Sequence, residues 1–115
     1  MLNNVVIVGR LTKDPEVVEM EKGYKRTFII VAVPRPYKNT NGEYETDFIK
    51  CILWNAVAEH TCEYCKKGDV IGVKGRIETS SFIKDDVIKY EMEVVAERIT
   101  FLSSKRPEDI IVEEE

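Results

Sequence analysis

The chain has 115 residues, of which 43% are apolar and 33% charged, and its 17 Lys and Arg against 21 Asp and Glu give a formal charge of −4. This is material for one domain with its own core, which excludes disorder over most of the length, and no apolar run approaches the ~18 residues that a membrane span needs. Five of the acids (Glu108, Asp109, Glu113, Glu114 and Glu115) lie within residues 107–115; without them 17 basic residues face 16 acidic ones, so the charge does not exclude a polyanionic partner.

Gly and Pro fall singly between short apolar runs, the punctuation of a small β-rich domain. The first strand is predicted over residues 2–11, stopping at the turn signal Lys13-Asp14-Pro15 and resuming near Val17. A second covers residues 25–33. Residues 34–43 read as a loop, because Pro34 and Pro36 restrict it and Asn41-Gly42 suits a tight reversal. A third strand covers residues 45–54. A helix is predicted over residues 56–66, with Asn55 as N-cap, Glu59 in the early turns, Lys66 and Lys67 at the C-terminal dipole and Gly68 as the left-handed stop. Strands four and five cover residues 69–82 and 88–102. The order β-β-β-α-β-β predicts an all-β fold with one helix: a five-stranded OB-fold β-barrel, the oligonucleotide and oligosaccharide-binding architecture, with its helix between strands three and four. Gly9, Gly72 and Gly75 then fit as bends or close approaches in a tightly coiled barrel. The division is an OB domain over residues 1–102 and a short acidic tail over 103–115.

Alternation along the third strand separates Ile49, Cys51 and Leu53, a core row, from Phe48, Lys50, Ile52 and Trp54. Along the fourth strand, Ile71, Val73, Gly75, Ile77 and Thr79 form one row, and Lys74, Arg76, Glu78, Ser80 and Phe82 the other. Tyr37 lies between Arg35 and Lys38 in the predicted loop. Any one of these rings could be ordinary core. Three aromatics interleaved with bases in separate segments instead suit a groove for an unpaired nucleic-acid strand, which offers an anionic backbone and exposed π faces. The candidate stacking residues are Tyr37, Phe48, Trp54 and Phe82. The candidate phosphate contacts are Arg10, Lys13, Arg35, Lys38, Lys50, Lys74, Arg76 and Lys84.

The ordered segments Met1-Leu2-Asn3-Asn4-Val5-Val6-Ile7-Val8-Gly9-Arg10-Leu11-Thr12-Lys13-Asp14-Pro15-Glu16, Arg35-Pro36-Tyr37-Lys38-Asn39, Asp47-Phe48-Ile49, Cys51-Ile52-Leu53-Trp54, Lys66-Lys67-Gly68 and Val94-Val95-Ala96-Glu97 together resemble the bacterial single-stranded DNA-binding proteins, over about residues 1–102. The resemblance implies sequence-nonspecific coating of single-stranded DNA in replication, recombination and repair. It implies that Tyr37, Phe48, Trp54 and Phe82 stack bases, and that the chain forms a homotetramer, a dimer of dimers, through its first strand. The run Val5-Val6-Ile7-Val8 is apolar on both faces and independently suggests cover on both sides. That family usually continues into a Gly, Gln and Pro-rich linker with a terminal Pro-Phe. This sequence instead ends in Glu108-Asp109-Ile110-Ile111-Val112-Glu113-Glu114-Glu115, the pattern of a short form. The tail is a solvated end, a docking peptide for replication and repair proteins, or an internal competitor for the basic groove.

The N-terminus lacks a basic region and a cleavage site, so a cytoplasmic, nucleoid-associated protein without membrane association is expected. Three cysteines in such a chain are expected to be reduced, with Cys51 and Cys65 as small core residues. His60 and Cys62 point to different sides of a helix, and Cys62-x-x-Cys65 lies at its C-terminal end. No metal, redox centre or other cofactor is expected. The rivals are an OB-fold RNA-binding or primosome-type adaptor module and a metal-dependent nuclease. The scattered strand acids Glu78, Glu91 and Glu93 disfavour the nuclease, so no enzyme is expected.

Overall fold

The structure is a computed structural model and describes residues 1–104. Six strands, β1 (Val5–Leu11), β2 (Val18–Glu19), β3 (Lys25–Lys38), β4 (Tyr44–Trp54), β5 (Asp69–Lys84) and β6 (Val87–Ser104), accompany one helix, α1 (Asn55–Tyr64), and a 3-10 turn at Glu21–Gly23. The sheet order is β1-β5-β6-β4-β3-β2, and β1 also pairs with β3, so five strands close on themselves and β2 hangs on the edge of β3. All pairs are antiparallel except β4 with β6, which run parallel through Cys51 opposite Val94 and Ile52 opposite Val95. With β2 set aside, the helix lies between the third and fourth barrel strands and the OB-fold expectation holds.

The barrel is filled by its alternate positions. Leu11, Ile29, Val31, Cys51, Leu53, Ile71, Val73 and Val94 form one buried cluster, to which the helix segment adds Ala58 and Cys65. Each fully buried aliphatic contributes about 1.5–3 kcal/mol of hydrophobic stabilisation. Gly9 and Gly75 are needed where strands crowd. A Cβ on Gly9 would lie 2.5 Å from the Ala32 carbonyl oxygen at the β1–β3 seam, and one on Gly75 would strike the Val95 carbonyl. Gly72 is not a close approach, because a Cβ there would find its nearest neighbour at 3.8 Å.

Three boundaries also differ. The predicted loop from Pro34 is strand as far as Lys38, with a register shift between Pro34 and Lys38, and the reversal is confined to residues 39–43. There the Asn39 side-chain oxygen accepts from the N–H groups of Asn41 (2.9 Å) and Glu43 (3.0 Å). The helix is shorter than predicted and Asn55 does not cap it: its φ is +49° and its Oδ1 accepts the Lys25 N–H at 3.1 Å, tying the helix start to β3. Asn is among the few residues that tolerate this left-handed conformation. At the other end Cys65 is already extended, so Lys66, Lys67 and Gly68 lie beyond the helix. Gly68, at φ +92°, instead serves the turn into β5 and donates its N–H to the Leu11 carbonyl at 2.9 Å. The Asp69 side chain organises that turn, accepting the Lys66 N–H at 2.8 Å and the Ser104 hydroxyl at 3.0 Å. Before β1, Asn3 donates to and accepts from the Ile77 backbone, both at 2.9 Å, extending the β1–β5 ladder through a side chain.

Candidate nucleic-acid interface

Pairing of β3 with β4 sets Arg26 opposite Trp54, Phe28 opposite Ile52, Ile30 opposite Lys50 and Ala32 opposite Phe48. Directly opposed residues share a face, so these positions form the outer row, alternating with the buried pairs Thr27–Leu53 and Ile29–Cys51. The rings on it reach solvent: Phe48 is 67% exposed, Trp54 39% and Phe28 36%. Ile52, read from alternation as part of an open row, is instead only 2% exposed between its register partners Phe28 and Val95. Tyr37 is exposed near the end of β3. Phe82 is exposed on the β5–β6 arm, opposite Lys89.

Cations lie against several of these rings. The Lys13 Nζ is 4.3 Å and the Lys50 Nζ 5.1 Å from the Phe28 ring centroid, the Arg26 guanidinium is 5.6 Å from that of Trp54, and the Lys38 Nζ is 5.7 Å from that of Tyr44. Other candidate phosphate contacts are already paired with acids. Arg35 grips Asp47 through Nε (3.1 Å to Oδ2) and Nη2 (2.9 Å to Oδ1) and reaches Glu45 at 3.4 Å. These hydrogen bonds raise the guanidinium pKa and hold the Asp47 carboxyl below the ordinary carboxylate range. Lys50 lies 3.2 Å from Glu93 and 3.7 Å from Glu91. Arg76 pairs with Glu78 (2.7 Å) and Glu97 (3.1 Å), whose hydrogen bonds raise its pKa, and Lys74 reaches Glu97 at 4.0 Å. Lys84 sits at the end of β5 and has no ion pair among the described residues. Arg10 lies on β1, opposite Ala32 and Val70.

Arg26, Phe28 and Tyr44 belong to this surface and were not selected from sequence. Alternation within β3 alone does not mark Phe28, which stands in the apolar run of residues 28–33; the face of the first two follows from the register that sets Arg26 opposite Trp54 and Phe28 opposite Ile52. The three cysteines stand apart from it. Cys51 and Cys65 are buried, burial pushes the Cys51 thiol up to about 11, and Cys62 is partly exposed, its pKa also raised by burial. Among the described residues, no cluster of three or more His, Cys, Asp or Glu is arranged to hold a metal ion.

A closed five-stranded barrel carrying an open row of rings and cations defines a nucleic-acid-binding OB-fold. Comparison narrows the class. The model of the single-strand binding protein family matches residues 2–102, and the chain belongs to that family. It is similar to single-stranded DNA-binding protein 3 of Listeria innocua, with 45% identity over 107 residues, 92% of this chain and 67% of that one. It is also similar to single-stranded DNA-binding protein B of Bacillus subtilis, with 42% identity over 106 residues, 91% of this chain and 94% of the other. A third relative, the single-stranded DNA-binding protein of Oceanobacillus iheyensis, is 44% identical over 106 residues, 91% of this chain and 66% of that one.

Proposed function

We propose that single-stranded DNA lies along the outer β3–β4 row and the β5–β6 arm, its bases stacked on Tyr37, Phe48, Trp54 and Phe82. Its phosphates meet Arg10, Lys13, Arg35, Lys38, Lys50, Lys74, Arg76 and Lys84. The protein binds single-stranded DNA, with the replication and repair roles typical of its family. The observation that carries the track is the exposure of Trp54 and Phe48 on one row with Lys50 between them. Stacking on a ring is worth about 1–3 kcal/mol per base and tolerates any sequence, whereas a duplex hides its π faces. A phosphate reaching Lys50, Arg35 or Arg76 displaces a carboxylate, so binding exchanges one counter-charge for another and weakens with salt.

The test is Trp54 fluorescence during titration with oligo-dT and with duplex of equal length. Quenching by the single strand, reversed by salt, is expected; equal response to the duplex would overturn the track. Oligo-U in the same assay separates an RNA-binding or adaptor module from a DNA binder. The action is binding without catalysis, so labelled single strands incubated with Mg²⁺ should stay intact.

The assembly is a homotetramer, a dimer of dimers, through β1. Val6 and Val8 are exposed on β1, and among the described residues positions 5–9 pair with β5 alone, so no described strand covers their other edge. Light scattering on wild type and Val6→Glu reads this directly. Work on single strands implies a cytoplasmic, nucleoid-associated location; no described helix is long and apolar enough to cross a membrane. The acidic tail falls on residues outside the described ones. Its role in docking replication and repair proteins is tested by deleting residues 107–115 and assaying their capture.

A further inference from the structure

Phe28 stands outside the four rings of the proposed track, yet it occupies the gap in it. Trp54 and Phe48 are six residues apart on β4, about 20 Å along a strand and too far for one base to bridge. Phe28 lies on the adjacent strand in the same row, opposite Ile52 and between the pairs that contain Trp54 and Lys50. Its immediate neighbours Thr27 and Ile29 turn inward and are buried, whereas the Phe28 ring is directed out.

Two features set this ring apart from a side chain that merely covers the barrel. It lines a surface cavity of about 410 Å³, together with Lys13, Arg26 and the β2 side of the molecule. Two ammonium groups from different elements, Lys13 in the loop after β1 and Lys50 on β4, lie over it at 4.3 and 5.1 Å. Cation–π contacts at an exposed ring are weak and both lysines have long flexible stems, so Lys13 can leave the ring for a phosphate, and Lys50 can do so by also exchanging its exposed ion pairs with Glu93 and Glu91. The acid nearest in sequence to Lys13, Asp14, is tied down by the Lys67 N–H at 2.7 Å.

We propose that Phe28 is a fifth base-stacking platform, joining Trp54 to Phe48, and that Lys13 and Lys50 guard its ring in the free protein and move onto the flanking phosphates when a base takes their place. The proposal rests on the single-strand track described above and adds a stop to it.

The test uses the full chain and anisotropy of labelled oligo-dT with three variants. Phe28→Leu keeps apolar bulk without a π face, Phe28→Tyr keeps the face, and Trp54→Ala probes the track itself. Expected are a loss of about tenfold in affinity for Phe28→Leu, a change within about twofold for Phe28→Tyr, and an unchanged melting temperature for both within a few degrees. If Trp54→Ala binds weakly while Phe28→Leu stays within about twofold of wild type, the strand bypasses Phe28: the inference is overturned and the track survives. Equal losses in Leu and Tyr variants overturn it as well, as a packing effect. If neither Phe28→Leu nor Trp54→Ala weakens binding, the track itself falls. Ultraviolet cross-linking of oligo-dT to the wild-type protein, resolved to single residues by fragmentation, gives a readout independent of folding. A thymine adduct on Phe28 supports the inference, and adducts on Trp54 or Phe48 without one on Phe28 overturn it.

Discussion

Asp69 is 1% exposed, yet its carboxylate meets the Lys66 N–H and the Ser104 hydroxyl and so joins the helix exit to the end of the last strand. Asp69→Ala strands these donors and should cost about 1–3 kcal/mol in urea unfolding, with Asp69→Asn losing less. The thiols differ by access: in the folded protein iodoacetamide should modify Cys62 first and Cys51 last, because burial holds the Cys51 thiol protonated, its pKa pushed up to about 11. Asp47 has the opposite shift, depressed by the hydrogen bonds from Arg35. Its contribution to stability is therefore present above the unfolded-state carboxylate pKa and is lost as pH falls through the lower folded value. Asp47→Asn should flatten the acid limb of a stability–pH curve, by a small amount because both partners are more than a third exposed.

Strand positions were legible because a period of two persists through β4 and β5, and because single Gly and Pro residues mark the breaks. What failed to show is what depends on distant partners. Asn55 reads as a cap, but its side chain is taken by the Lys25 N–H thirty residues earlier. Pro34 and Pro36 read as loop, but β3 absorbs them through a register shift. Gly72 reads like Gly9 and Gly75, although only the latter two sit under a neighbouring carbonyl. Alanine at Gly9 or Gly75 should each cost about 1–3 kcal/mol in thermal unfolding, whereas Gly72→Ala should melt close to wild type.

Across the whole molecule, Phe48 and Trp54 of the candidate site could be found from sequence, whereas Phe28, Tyr44 and the electrostatics could not. Phe48 and Trp54 stand out against Lys50 on one strand. Phe28 is masked inside the unbroken apolar run of residues 28–33, where alternation leaves no polar trace. Most of the acids that answer the cations come from other strands: Glu91 and Glu93 of β6 face Lys50 of β4, and Glu97 of β6 faces Lys74 and Arg76 of β5, Glu78 beside Arg76 on β5 being the exception. Counting bases along the chain therefore overstates the free positive charge. Glu91→Gln combined with Glu93→Gln should release Lys50 from both its acids and tighten oligo-dT binding several-fold at low salt, with a steeper decline as salt rises; unchanged titrations would show that Lys50 does not meet phosphate.

This carboxylate lining also bears on how a bound strand leaves. On the proposed track, a phosphate that lifts away from Arg35, Lys50, Lys74 or Arg76 leaves a cation whose own glutamate or aspartate stands ready to re-cover it, so at these positions no bare charge waits to recapture the same nucleotide. Release can then proceed by peeling, one nucleotide after another, with the rest of the strand still seated.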